Sequence, residues 1–165
     1  LLVRLRSQLQ EQHPTEVVNA CVTACISRSN LSPVAIQKRA IALGKLAEDE
    51  QSFSAIRTTL KRLMGLGKKA SSSEYNPKIF NSDAETTLHT AFIAATAKVN
   101  TALEAELIEE ALTALIALKP AVDQLFESVM VMDQDVAVRN NRLSFLKSIA
   151  DAFMQIADFT ALSSD

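Results

Sequence analysis

With 165 residues, 48% of them apolar, the chain can bury one domain-sized core, and its three glycines and four prolines leave long Ala- and Leu-rich stretches free for helices. No apolar run approaches the roughly 20 residues that span a bilayer, no signal-peptide pattern is visible, and the first residue is Leu1, so the chain reads as a non-secreted piece of something longer. A formal net charge of −2 still leaves room for a local basic surface.

The expected elements follow in chain order. Residues 14–26 read as a helix with Val17, Cys21 and Ala24 on one side. Ser32 caps a second helix with Pro33 at its first position; it runs to about Glu48, with Ile36, Ala40, Leu43 and Ala47 inward. A third spans about 51–64 and ends at Gly65. Residues 70–82 are loop, a serine run followed by Tyr75, Asn76 and Pro77. Ser82 and Glu85 have capping-box spacing and open a fourth helix that reaches about Asn100. A fifth covers about 103–118 and stops before Pro120, a sixth covers about 122–132, and the last and longest runs from about 135 to 159. Helix after helix with short connections predicts an all-α bundle of about seven helices, one domain over residues 1–165, with no alternating strand and no internal repeat.

No catalytic constellation emerges from the residues. Cys21 and Cys25 lie four apart on one helix face without a third ligand nearby, which suits small buried side chains better than a metal or redox pair. His13 and His89 are solitary. The run Gly65-Leu66-Gly67-Lys68 lacks the spacing and the preceding strand of a phosphate loop. Carboxylates such as Glu104, Glu106, Glu109 and Glu110 read as a solvated helix face.

Charge is unevenly placed. Residues 28–69 hold nine Lys/Arg against three Asp/Glu, a net of +6, whereas residues 70–165 hold six against fourteen, a net of −8. On the third helix Phe53, Ile56, Leu60, Leu63 and Met64 share one face, Thr58, Lys61 and Arg62 point away from it, Arg57 lies at the boundary, and Lys68 and Lys69 follow just beyond. This edge either contacts phosphates or is a solvated face whose cations complement the helix dipole. Tyr75, the single tyrosine, either stacks a base or tacks its loop to the bundle.

The segment from Leu118 to Met132, Leu-Lys-Pro-Ala-Val-Asp-Gln-Leu-Phe-Glu-Ser-Val-Met-Val-Met, resembles a stretch near the end of bacterial-type glycyl-tRNA synthetase beta subunits, where the pattern is V-D-x-F-F-D-x-V-M-V-M. The likeness continues through Asp135-Val-Ala-Val-Arg139, a variant of the Asp-Ala-Leu-Arg motif of the DALR anticodon-binding domain, through Asn141-Arg142-Leu143, and to Ala157-Asp158-Phe159. Upstream, Arg39-Ala40-Ile41-Ala42-Leu43 is similar to the family's R-A-x-A-L, and Lys61-Arg62 to its Lys-Arg pair. The chain departs from the family where Met64, Gly65 and Leu66 replace an Asn-Ile pair, and where Leu125 precedes Phe126 in place of the first aromatic.

The resemblance implies a C-terminal helical anticodon-binding domain that orients tRNA(Gly) and performs no chemical step itself. It implies an alpha subunit that activates glycine with ATP and Mg, in an α2β2 tetramer or a fused chain, with no cofactor in this segment. It also implies a bacterial cytoplasmic setting, or a plastid for a fused homologue, and no membrane partner. The alternatives are the anticodon-binding domain of an arginyl-type synthetase and a helical protein-interaction module. On the wheel of the last helix, Asp135, Arg139 and Arg142 fall on the apolar side, and Asn140, Ser144, Lys147, Asp151 and Gln155 on the other. An arginine aimed at a core needs an acid. Asp135 and Arg139 are therefore expected to form a structural pair joining helices, with Arg142 less committed, and Asn140 and Lys147 are the better-placed RNA contacts.

Overall fold

The computed structural model describes residues 2–29 and 32–162, so the one-domain expectation over 1–165 includes a few positions outside the described residues. Among the described residues eight α-helices follow one another: α1 Leu2–Gln10, α2 Thr15–Ser27, α3 Pro33–Glu48, α4 Glu50–Gly67, α5 Asp83–Glu104, α6 Ile108–Ile116, α7 Lys119–Ser128 and α8 Val136–Met154. Two 3-10 turns, Pro77–Ile79 and Phe159–Ala161, complete the order, and no strand occurs among the described residues. The bundle is all-helical, as its composition predicts. The unanticipated element is α1, which is short and buries Leu9 alone.

Local chemistry sets several boundaries. Asp49 ends α3 and caps α4, with its carboxylate accepting from Ser52 N at 3.2 Å and Ser52 Oγ at 2.6 Å. Ser82 Oγ accepts from Glu85 N at 3.2 Å, and Glu85 Oε2 reaches back to Asn81 N at 3.2 Å and Ser82 Oγ at 2.8 Å. The capping box of α5 is thus formed, shifted by one residue on its return bond. Asp135 caps α8, accepting from Ala137 N at 2.8 Å and Val138 N at 3.1 Å.

α8 is the spine. All six residues from Asn141 to Leu146 are buried, because α4 lies along one side of it and α6 meets another. Ser144, expected on a solvated face, is buried for that reason. α5 packs against both α6 and α7, α2 against α3, and α3 against α6. Cys21 and Cys25 are fully interior, and burial, with Cys25 adding to it, pushes the Cys21 thiol up to about 12. No described helix is long and apolar enough to cross a membrane.

Five boundaries from α5 onward differ from expectation. α5 continues past Asn100 to Glu104, and α6 starts only at Ile108. Between them Glu106 adopts φ 58, Leu107 N donates to Ala102 O at 2.7 Å and Glu106 N donates to Leu103 O at 3.1 Å. This is a Schellman stop with a glutamate where glycine is usual, so no sequence signal announces it. Pro120 sits in the first turn of α7 and begins that helix, where the missing N–H costs nothing. α7 ends at Ser128, Val129 is extended, and the carbonyl of Met130 just beyond accepts from Arg142 at 2.9 Å. α8 stops at Met154.

The left-handed turn yields a test. Glu106→Gly removes a steric cost of about 1–2 kcal/mol at the αL position and forfeits an exposed ion pair to Lys38 that contributes little. After the extra chain entropy of glycine, a gain of up to about 1 kcal/mol is expected in thermal or urea unfolding. A variant that melts below the parent would overturn this account of the turn.

Candidate nucleic-acid interface

α4 is strongly amphipathic. Phe53, Ile56, Thr59, Leu60, Leu63, Met64 and Gly67 are buried. Gly67 lies inward because a Cβ there would come within 3.1 Å of Lys147 Cα, so α4 and α8 meet almost backbone to backbone. A Cβ on Gly65 would meet nothing within 4 Å, so this glycine faces open space.

A groove of about 710 Å3 runs along the outer side of α4, with Arg57, Lys61, Arg62 and Lys68 among its lining residues, together with Ser54 and Thr58. Phe159, Thr160 and Leu162 line it from the chain's last turn. No Asp or Glu lines it, and none of its cations forms an ion pair with an acid among the described residues. Four lysines elsewhere are paired, Lys38 with Glu106, Lys45 with Glu109, Lys119 with Asp123 and Lys147 with Asp151, whereas Lys78 and Lys98 form no ion pair among the described residues. The groove is therefore a concentrated positive site on a chain of net negative charge.

Two of its cations rest on rings. The Arg62 guanidinium carbon lies 4.3 Å from the centroid of Phe126 of α7, and that of Arg57 lies 5.1 Å from Phe53 one turn earlier. Lys69 is exposed beside Lys68 but does not line the groove.

The opposite wall is fixed by residues that the sequence reading did not single out for this. Asp158 N donates to Ala20 O of α2 at 2.9 Å, and Asp158 Oδ1 accepts from Thr160 N at 3.0 Å and from Thr160 Oγ1 at 2.5 Å. The Phe159 ring stands edge-on to Phe153, 5.6 Å between centroids. Arg39 of α3 is buried and donates Nε and Nη2 to Gln155 O, both at 3.1 Å, so it caps the carboxyl end of α8. Contacts across more than a hundred residues leave no local signature.

Of the remaining candidates, Tyr75 is tacked down. Its ring packs with Phe145 at 4.7 Å, His89 at 5.6 Å and Phe80 at 6.0 Å, and burial raises the phenol pKa. Asn141 secures the same loop, accepting from Asn76 N at 2.7 Å and donating to Asn76 O at 3.1 Å. Asn140 is exposed on α8, and Lys147 is half-buried and bound to Asp151 at 3.2 Å; neither lines the groove.

The expected pairing of Asp135 with Arg139 is corrected. Asp135 uses its carboxylate as the α8 cap, and Arg139 Nη1 donates to the carbonyl of Asp133 at 3.1 Å. The structural arginine is Arg142. Its Nε donates to Glu85 Oε1 at 2.9 Å, Nη1 to Met130 O and Asp133 Oδ2, each at 2.9 Å, and Nη2 to Asn81 Oδ1 at 2.7 Å and Glu85 Oε2 at 3.4 Å. All five donors are engaged. Burial pushes the Glu85 carboxyl up, but the bonds from Arg142, Ser82 and Asn81 outweigh it and hold its pKa below the ordinary 4.5.

This network sets a clear contrast between two arginines. Arg142→Met leaves Glu85 charged and unpaired in the interior and should cost about 3–5 kcal/mol in urea unfolding at neutral pH. Arg139→Ala removes one half-exposed bond and should cost about 1 kcal/mol. The pH dependence has opposite signs. In the parent the lowered Glu85 pKa contributes stability present above pH 4.5 and lost as pH falls through the folded value. In Arg142→Met burial raises that pKa, so the penalty should shrink on acidification toward pH 4.5. Equal losses for the two variants, or a pH-independent Arg142→Met penalty, would refute this assignment.

A family model described as the DALR anticodon binding domain matches residues 56–161. The chain is 36% identical over 163 residues to a glycine–tRNA ligase beta subunit of Desulforapulum autotrophicum, covering 96% of this chain and 23% of that protein. It is 34% identical over 166 residues to the glycine–tRNA ligase beta subunit of Myxococcus xanthus, covering 98% of this chain and 23% of that protein. Another such beta subunit, from Desulfatibacillum aliphaticivorans, is 39% identical over 132 residues. The chain thus spans about a quarter of the length of these relatives. The match covers the helices that build the groove and the Arg142 network alike, and the chain belongs to the DALR anticodon binding domain family.

Proposed function

We propose that this chain is the tRNA-binding part of a glycine–tRNA ligase beta subunit, and that the α4 groove holds phosphates of the anticodon stem and loop. The observation that carries the proposal is the set of uncompensated cations along α4, Arg57, Lys61, Arg62 and Lys68, in a groove with no lining carboxylate. The family and the printed names of the similar proteins supply the polyanion that such a surface would meet.

The mechanism is positional. Cations ranged along one edge of α4 add to a local positive potential, so they orient an incoming phosphate backbone before any base is read. Loop bases are then read by polar side chains, with Asn140, exposed on α8 outside the groove lining, as a candidate. Activation of glycine with ATP and Mg belongs to the alpha subunit, in an α2β2 assembly or a fused chain in the bacterial cytoplasm, and the partner RNA is tRNA(Gly). This chain contributes binding and orientation.

The test is charge reversal in the full beta subunit. Lys61→Glu, Arg62→Glu, Lys68→Glu and Lys69→Glu combined should weaken tRNA binding by about tenfold or more near 0.1 M salt. The slope of log affinity against log salt should fall by about one for each cation that meets a phosphate. Fluorescence anisotropy across a salt series reads both. Unchanged affinity and slope, with helicity intact, would reduce the patch to a solvated face.

A further inference from the structure

The groove's cations are not equivalent. Lys61 and Lys68 are flexible ammonium groups on an exposed face, whereas Arg62, also exposed, has its guanidinium set over the Phe126 ring at 4.3 Å. A guanidinium so placed has one face covered and its N–H edge available, and no hydrogen-bond acceptor for Arg62 is found among the described residues.

The ring itself is held in place. One turn before Arg62 on α4, Thr59 is buried and its Oγ1 donates to Asp123 Oδ1 at 2.6 Å; one turn before Phe126 on α7 stands that same Asp123. Lys119 also donates to Asp123. Contacts Thr59–Asp123 and Arg62–Phe126 therefore repeat at a spacing of three residues on each helix, so the first fixes the register that brings the second together. Leu125, the neighbour of Phe126, is fully buried and anchors α7 from its inner side, while Phe126 stays half-buried at the groove's edge.

We infer that Arg62 is the geometry-setting phosphate contact of the groove and that Phe126 is its positioning residue, whereas the lysines supply charge alone. The inference rests on the RNA-binding reading above. A phosphate is met by two parallel N–H bonds from an arginine edge, a geometry that a lysine cannot reproduce. Seating the guanidinium on a ring removes rotamer freedom before binding, and what is not lost on binding appears as affinity.

The experiment uses the full beta subunit, tRNA, and four variants: Phe126→Leu, Phe126→Trp, Arg62→Lys and the double variant Phe126→Leu/Arg62→Lys. Phe126→Leu keeps every charge, so its salt slope should match the parent while its affinity falls about two- to fivefold, the worth of an exposed cation–ring contact. Arg62→Lys should lose at least as much, again with an unchanged slope. The double variant should bind no more weakly than Arg62→Lys alone, because the ring acts through the arginine. Phe126→Trp should bind like the parent, which shows that a fall in Phe126→Leu comes from the lost ring and not from unfolding; melting curves run beside each variant. Parental affinity in Phe126→Leu, or losses that simply add in the double variant, would overturn the inference while leaving the charge-reversal result, and so the RNA-binding reading, standing. A parent that does not bind tRNA at all would remove both.

Discussion

Arg142 sits where an unpaired cation would be untenable, in a helix whose neighbouring side chains from Asn141 to Leu146 are all buried. It is stable there because every one of its N–H groups finds an acceptor, and those acceptors come from two separate places, so that three parts of the chain meet at one side chain. Glu85 and Asn81 belong to the start of α5, Met130 and Asp133 to the segment after α7, and Arg142 itself to α8. One side chain thereby fixes the end of one helix, the beginning of another and the axis of a third. Glu85 joins two jobs in one carboxylate, closing the α5 capping box and neutralising the arginine.

From that node the geometry of the groove follows. With α8 held, Gly67 allows α4 to approach the backbone at Lys147, so the outer face of α4 is set relative to the spine with little slack. The far end of α8 is held by Arg39, and the chain then turns through Asp158 to place Phe159 and Thr160 opposite the α4 cations. Neither wall of the groove includes the serine-rich sequence between α4 and α5, although Tyr75 and Asn76 of that loop are themselves pinned to Phe145 and Asn141 of α8. A chain with a net charge of −2 can present such a site because its acids are placed elsewhere: Glu106 and Glu109 face Lys38 and Lys45, and Glu85 and Asp133 face Arg142.

Much of this was legible where the signal is local. Pro33, the Ser82–Glu85 spacing and the apolar stripe of α4 each encode their element within a few residues, and the outward position of Lys61 and Arg62 follows from helical geometry alone. The stop at Glu106 was not legible, because the left-handed residue is a glutamate and the surrounding Ala and Leu favour continued helix. Nor could a helical wheel separate Arg139 from Arg142. Both fall on the apolar side, and which one turns inward is decided by Glu85, 57 residues away in sequence. The second wall of the groove was invisible for the same reason, since Phe159 and α4 are brought together only by the tertiary fold.

The arginines of this chain can be sorted by where their donors go, and that sorting bears on function more than charge does. Arg39 and Arg142 are buried, and the five N–H groups of Arg142 and three of those of Arg39 end on carbonyls and carboxylates of the protein, so both are committed to the scaffold. Arg57 and Arg62 instead rest against Phe53 and Phe126, apolar partners that steady a guanidinium without consuming a single donor. The motif that most strongly marks the sequence, Asp135 to Arg142, therefore holds the scaffold together. The residues proposed to meet a phosphate lie on a helix about eighty residues earlier, in a stretch with no more conspicuous sequence mark than a lysine beside an arginine.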